Sequence, residues 1–152
     1  MNDLKKTILL VEDNGDDVFL FNRALKKAEI TNCVNVVSDG EKAIDYFKGA
    51  GKYVDREKFP LPFIVFLDLK LPYLDGFEVL KWIRQQPELD AIVVVILTSS
   101  DEARDHQQAY SLGARSYLVK PPNPHDILEV LDSLDSFWRR GSEKSPVSTE
   151  RN

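Results

Sequence analysis

The sequence is poor in the residues that build covalent cross-links and soft metal sites. It contains 1 cysteine, Cys33, among 152 residues, so it can form neither an internal disulfide nor a thiolate metal cluster. The 2 histidines, His106 and His125, lie in helix-like segments without a partner at metal-ligand spacing, and we expect both to be solvated. Such a composition fits a reduced compartment, and we expect a cytoplasmic protein in which Cys33 has no reactive role.

Long apolar runs and clusters of positive charge are also missing. No apolar stretch is long enough to span a bilayer, and the one that precedes Glu12 is too short for a signal peptide. The formal net charge is -5 and the sequence pI is about 5.1, whereas proteins that bind the nucleic-acid backbone usually carry a basic stripe. We therefore expect neither a membrane span nor a nucleic-acid partner.

The apolar residues that are present come in short runs separated by segments with helical spacing. The runs cover residues 7–11, 34–37, 63–67, 92–97 and 116–119. All but the last are continuous and rich in Val, Ile and Leu, which is typical of strands buried on both faces. Strands that alternate with helices favour parallel pairing through right-handed crossovers. The sequence therefore predicts an α/β fold with a doubly wound five-stranded parallel sheet in the order 2-1-3-4-5.

Capping residues mark the expected helix ends. Side chains that can cap a helix precede an acid by three residues at Asn14, Asp75, Ser99 and Asn123, and Gly113 is placed to end the fourth helix. The connection over residues 49–62 is long for a small domain, so it is either functional or mobile. We expect one domain over residues 1–140 and a disordered tail over residues 141–152, where no apolar stripe is present.

Polar side chains follow four of the five predicted strands. Glu12 and Asp13 follow the first strand, Asp68 the third, Thr98 the fourth and Lys120 the fifth. Because ligand sites in open parallel sheets lie beyond the carboxyl ends of the strands, we expect these groups to converge. The carboxylates would repel one another unless a hard cation such as Mg2+ neutralised them. Lys120 and Thr98 could then flank a phosphoryl group on Asp68, which is what phosphoryl transfer requires.

The same segments resemble a known family, the receiver domains of two-component response regulators. The segments ILLVEDN, FLDLKLPYLDGFEVL, VVVILTSS and GARSYLVKPPNP match its signatures in order, over roughly residues 5 to 138. The resemblance implies a flavodoxin-like fold. It also implies a phosphoprotein of a phosphorelay, which takes its phosphoryl group from a sensor histidine kinase in the presence of Mg2+ and signals by protein contact.

The resemblance also assigns roles to particular residues. Asp68 would be the phosphoacceptor, and Glu12 and Asp13 the acidic pair. Asp13, Asp68 and the backbone carbonyl of Lys70 would hold Mg2+, with Glu12 completing the metal set.

Three further roles concern the phosphorylated state. Thr98 and Tyr117 would be the switch pair, and Lys120 would bind the phosphoryl group. The bond between Lys120 and Pro121 is expected to be cis, as is usual in this family. The chain departs from many receivers after Lys120, where Pro122 follows Pro121 instead of phenylalanine.

Within the family, the chain is similar to the small single-domain regulators that serve phytochrome-type photoreceptor kinases. The similarity rests on SDGEKAIDYF, on the long loop before the third strand and on LDSFWRR. The last helix carries an apolar stripe wider than one core face needs. We expect a homodimer built on the last strand and helix, with Leu134, Phe137 and Trp138 at the interface. The alternative is that this helix simply covers the edge of the sheet.

Other functions on the same fold are possible from the sequence. A phosphohydrolase that forms an aspartyl-phosphate at Asp68 would usually carry a second acid two residues later, where Lys70 stands. A flavodoxin-like cofactor binder would need a phosphate loop after the first strand, where EDNGDD would repel phosphate. A phosphorylation-independent binding module stays open. We expect a stand-alone regulator that is not an enzyme beyond catalysing its own phosphorylation and dephosphorylation.

Overall fold

The sheet predicted from the sequence is present. The computed structural model describes residues 6–134. Its strands are β1 (Ile8–Val11), β2 (Val34–Val37), β3 (Ile64–Leu67), β4 (Val93–Thr98) and β5 (Ser116–Val119). They form one parallel sheet in the order β2-β1-β3-β4-β5, so the predicted strand order is confirmed. The domain boundary at residue 140, the predicted tail, Phe137 and Trp138 lie outside the described residues.

Helices cover both faces of this sheet. They are α1 (Gly15–Lys27), α2 (Gly40–Lys48), α3 (Gly76–Arg84), α4 (Ala103–Ser111) and α5 (Pro124–Asp132). Side chains of α1 and α5 pack with Ile8 and Leu10 on one face, while those of α2, α3 and α4 pack with Leu9 and Val11 on the other. Alternate residues of β1 thus point to opposite cores, which explains why its apolar run is continuous.

Most of the predicted helix starts are confirmed. Asn14 accepts a hydrogen bond from the backbone N–H of Asp17 at the start of α1. Asp75 and Glu78 form a reciprocal capping box at the start of α3, and Asn123 caps α5. Each cap satisfies an N–H group that the helix itself leaves unpaired.

The predicted start of α4 at Ser99 is wrong. The helix begins at Ala103 with Glu102 at its N-cap position. The Ser100 carbonyl accepts from Tyr117 at 2.9 Å instead of from a helical N–H, and the Ser100 hydroxyl donates to Asp105 in the first turn of α4 at 2.6 Å. At the other end of α4 the prediction holds, since Gly113 follows the C-cap with a φ of 103°, a backbone conformation that favours glycine.

The long connection over residues 49–62 is fastened to α2. Arg56 donates to the carbonyls of Tyr46 at 2.8 Å and of Phe47 at 2.7 Å, and a cation is favourable at this end of a helix. The Tyr46 hydroxyl donates to the Pro60 carbonyl at 2.8 Å, and the Tyr46 and Tyr53 rings lie 5.1 Å apart. These contacts give the loop a structural role in covering α2.

The end of the described chain bears on the predicted dimer surface. On α5, Ile127, Val130 and Leu131 are buried, and Leu134 is partly buried against the same apolar cluster. This part of the stripe covers the sheet, while the dimer contact through Phe137 and Trp138 remains a prediction. No helix within residues 6–134 is both long enough and apolar enough to cross a membrane.

Candidate phosphoryl-acceptor site

The ends of β1 and β3 place two carboxyl groups side by side. Val11 and Leu67 are paired in the register of the two strands, so the residues that follow them, Glu12 and Asp68, leave the sheet at the same height. The backbone N–H of Asp68 donates to Val11 at 3.1 Å, and that of Glu12 donates to the carbonyl of Val37 at 3.0 Å. The sheet itself therefore fixes the position of both residues, as the strand order predicted.

Lys120 follows β5 and places its ammonium group among three carboxylates. Its Nζ lies 2.7 Å from Glu12 Oε1, 2.8 Å from Asp17 Oδ2 and 2.9 Å from Asp68 Oδ2. The lysine side chain is only 10% exposed. An ammonium group has three donors, and each has a carboxylate partner here. The bond between Lys120 and Pro121 is cis, as predicted.

Burial and charge shape the protonation of this cluster. The pKa of Glu12 is raised to about 7, chiefly by burial; the hydrogen bond from Lys120 lowers it, and the nearby charge of Asp68 raises it. Burial lowers the pKa of Lys120, but the hydrogen bonds to Asp17, Glu12 and Asp68 outweigh it, so the net shift is upward. Lys120 is therefore charged, while the pKa of Glu12 lies close to neutral pH.

Three of the predicted ligand residues can hold a metal ion. Carboxylate oxygens of Glu12, Asp13 and Asp68 lie within 4.8 Å of one another; Glu12 and Asp68 are buried and Asp13 is exposed. A set of oxygen ligands that is open to solvent on one side suits a hard divalent cation. The backbone N–H of Lys70 lies 3.3 Å from Asp68 Oδ1, so Lys70 borders the cluster. Its carbonyl as a metal ligand remains a prediction.

The buried hydroxyl of Thr98 is available to donate a hydrogen bond to a bound group. Thr98 is the last residue of β4 and is fully buried, and its hydroxyl has no hydrogen-bond partner within the described residues. An unpaired buried hydroxyl costs about 1–3 kcal/mol, and such groups call for a functional explanation. A phosphoryl oxygen on the neighbouring strand's Asp68 would supply the partner.

Tyr117, the other half of the predicted switch pair, is buried. Its hydroxyl donates to the carbonyl of Ser100 at 2.9 Å, and burial raises its pKa. The ring of His106 stacks on it with centroids 3.7 Å apart, and His106 Nε2 lies 3.0 Å from Asp101 Oδ1. His106 is 32% exposed, so it is in contact with solvent as expected, but it also stacks on Tyr117. His125 is exposed, as expected.

Sequence reasoning missed one member of the site, Asp17. It lies in the first turn of α1, where an acid is commonly explained by the helix dipole. Its position four residues after Asp13, near the carboxyl end of β1, was the feature of the sequence that could have indicated its place in the site.

Gly76 packs closely against the backbone of Asp68 and Leu69. Its N–H donates to Leu69 at 2.9 Å, and a Cβ at this position would overlap the Asp68 carbonyl and lie 2.7 Å from the Leu69 Cα. We expect Gly76→Ala to lower the free energy of unfolding by about 1–3 kcal/mol, because the close approach leaves no room for a methyl group. Chemical denaturation followed by circular dichroism measures this loss.

Gly15→Ala is the matched control for Gly76→Ala. Gly15 is also the first residue of its helix, and a Cβ there would meet nothing within 4 Å. Its effect on stability should stay within about 0.5 kcal/mol. Equal effects of the two substitutions would show that the contact between α3 and the Asp68 backbone is not tight.

Comparison with known proteins agrees with this geometry. A family model for the response regulator receiver domain matches residues 8–132. The response regulator Rcp1 of Synechocystis sp. is 38% identical over 133 residues, which are 88% of this chain and 88% of that protein. The probable methanogenesis regulatory protein FilR2 of Methanothrix harundinacea is 38% identical over 142 residues, with 91% and 86% covered.

Solved structures give the same picture. The bacteriophytochrome response regulator RtBRR matches with a TM-score of 0.80 and 40% identity, covering 93% of this chain and 84% of that one. The Mn(2+)-bound form of Rcp1 matches with a TM-score of 0.70 and 37% identity, covering 93% and 99%. Both similarities therefore extend over nearly the whole of this chain.

Proposed function

Because this chain belongs to the family of response regulator receiver domains, we propose that Asp68 accepts a phosphoryl group from a histidine kinase. The observation that carries the proposal is the convergence of Asp68 with Lys120, at 2.9 Å, inside a cluster of carboxylates that can hold a metal. The buried hydroxyl of Thr98, at the end of the neighbouring strand, has no hydrogen-bond partner within residues 6–134 and supports the proposal independently.

The transfer needs little covalent chemistry from the protein. A carboxylate oxygen of Asp68 attacks the phosphorus of a phosphohistidine; the P–O bond forms as the P–N bond breaks, and the electron pair stays on the donor imidazole. Lys120 neutralises charge on the phosphoryl oxygens, and the Thr98 hydroxyl donates to one of them. Glu12, Asp13, Asp68 and the Lys70 carbonyl would hold Mg2+, and the ion would supply further positive charge at the site.

The phosphorylated state is read through the segment between β4 and α4. A hydrogen bond to the phosphoryl group draws Thr98 towards Asp68, and the movement passes along the chain to Ser100. The carbonyl of Ser100 accepts from Tyr117, so the surface formed by β5 and α4 responds to the new charge. Partner proteins that bind this surface would read the phosphorylation.

We propose that the histidine kinase that phosphorylates this chain is of the phytochrome type. RtBRR, which is 40% identical, is described as a bacteriophytochrome response regulator, and this similarity supports the assignment. We further propose a homodimer through β5 and the last helix, with Leu134, Phe137 and Trp138 at the contact. The cytoplasmic location expected from the sequence remains a prediction.

Intact-mass spectrometry with acetyl phosphate tests the proposal. In the presence of Mg2+ the protein should gain one phosphoryl group, and an excess of EDTA should prevent the gain, because the carboxylates then repel the anionic donor. A folded protein that gains no mass with Mg2+ present would contradict the proposed function. An equal gain in EDTA would contradict the metal requirement alone.

A further inference from the structure

Asp17 is an acidic residue in the site that has no part in the chemistry described above. Its Oδ2 lies 2.8 Å from Lys120 Nζ, and its side chain is 30% exposed, against 7% for that of Asp68. Lys120 lies 103 residues along the chain, so this contact joins the start of α1 to the end of β5. The short distance and the charges make it a full ion pair.

Lys120 does not need Asp17 to stay in the site. Its ammonium group also contacts Glu12 at 2.7 Å and Asp68 at 2.9 Å, and both of these carboxyl groups are buried on the sheet's own edge. Asp17 is held by α1 instead, where its backbone N–H donates to the Asn14 cap. Its carboxylate therefore binds the ammonium group from the α1 side, while Glu12 and Asp68 bind it from the strand ends.

We propose that Asp17 is a positioning residue that acts through Lys120 and restrains phosphorylation of Asp68. It occupies one of the three ammonium protons, and its charge opposes the arrival of a dianionic phosphoryl group. The inference rests on the proposed function, since it concerns the same lysine and the same acceptor. It goes beyond that function by giving this chain a built-in competitor for the phosphate-binding group.

The consequence is a gain of reactivity when the competitor is removed. In Asp17→Asn, the amide is a weaker acceptor than a carboxylate and carries no charge. Lys120 can then direct a proton and its full charge to the phosphoryl oxygens while Glu12 still holds it in place. We expect the initial rate of phosphorylation at limiting acetyl phosphate to rise about three- to tenfold, the size expected for one partly exposed charge near the reacting atoms.

Asp16→Asn is the matched control for this experiment. Asp16 is the neighbouring acid in the same first turn of α1 and is exposed, so its substitution removes the same formal charge. Its effect on the phosphorylation rate should stay below about twofold, because a solvated charge is screened. Asp17→Glu restores the carboxylate and should bring the rate back towards that of the wild type.

The experiment measures initial rates for the wild type and the three variants by intact mass, with Mg2+ at a fixed ionic strength. Thermal unfolding of each variant is recorded in parallel. A contact that only stabilises the fold would lower the melting temperature without raising the rate. A rate in Asp17→Asn equal to that in Asp16→Asn, or below that of the wild type, overturns the inference. A wild type that takes up no phosphoryl group at all refutes the proposed function itself.

Discussion

Asp68→Asn should take up no phosphoryl group from acetyl phosphate under conditions in which the wild type is modified. The amide nitrogen and oxygen are poor nucleophiles, and the substitution removes the carboxylate oxygen that lies 2.9 Å from Lys120. The fold should survive, since asparagine has nearly the same shape and the backbone N–H of residue 68 still donates to Val11. Intact mass with Mg2+ present measures the loss of the adduct.

Asp90→Asn serves as the control for Asp68→Asn. Asp90 is an exposed acid just before β4, at the amino-terminal end of the strands and therefore opposite the site. Its substitution should leave the phosphorylation unchanged. If Asp68→Asn still gains the adduct, the phosphoryl acceptor is another acid of the cluster. Loss of the adduct in both variants would indicate a general effect of charge on the donor.

Lys120→Met is expected to destabilise the protein by about 3–5 kcal/mol in metal-free buffer at pH 8, because buried carboxylates would lose their counter-charge. Glu12 and Asp68 are 2% and 5% exposed, so solvent cannot replace the ammonium group. A divalent cation can replace it in part, and Mg2+ should therefore stabilise the variant more than it stabilises the wild type. Urea denaturation with and without Mg2+ measures both effects.

Lys42→Met removes a lysine whose ion pair is exposed. Its Nζ lies 3.8 Å from Asp39 Oδ2, and its side chain is 55% exposed, so the loss should be below about 1 kcal/mol. Similar losses for the Lys42 and Lys120 substitutions would mean that the carboxylate cluster does not depend on Lys120. If Mg2+ stabilises the wild type and Lys120→Met equally, the cation does not replace the charge of Lys120.

The sheet and most of the site follow from the sequence because both depend on local patterns. Continuous apolar runs define strands that are buried on both faces, and the order 2-1-3-4-5 brings the residues that follow those strands to one edge. Glu12, Asp68 and Lys120 converge for this reason alone. The strand ends differ from the prediction by single residues, as at Thr98, which closes β4 instead of following it.

The features that the sequence did not reveal depend on contacts between distant segments. Asp17 looks like an ordinary acid of a helix start until the structure places it against Lys120. Ser99 looks like a helix cap, but the hydrogen bond from Tyr117 holds the following residue outside the helix. Arg56 gives no sign in the sequence that it fastens its loop to α2. Tertiary contacts override a local propensity at Ser99, whereas Asp17 and Arg56 acquire partners that only the fold brings near.

The most direct test of the central claim is to locate the phosphoryl group within the chain. Reduction of the acyl phosphate with borohydride converts the modified aspartate to homoserine, and peptide mass spectrometry then identifies its position. The account predicts a single modified residue, Asp68, in protein treated with acetyl phosphate and Mg2+. Modification at Asp13 or Glu12, or at any residue outside this cluster, would contradict it.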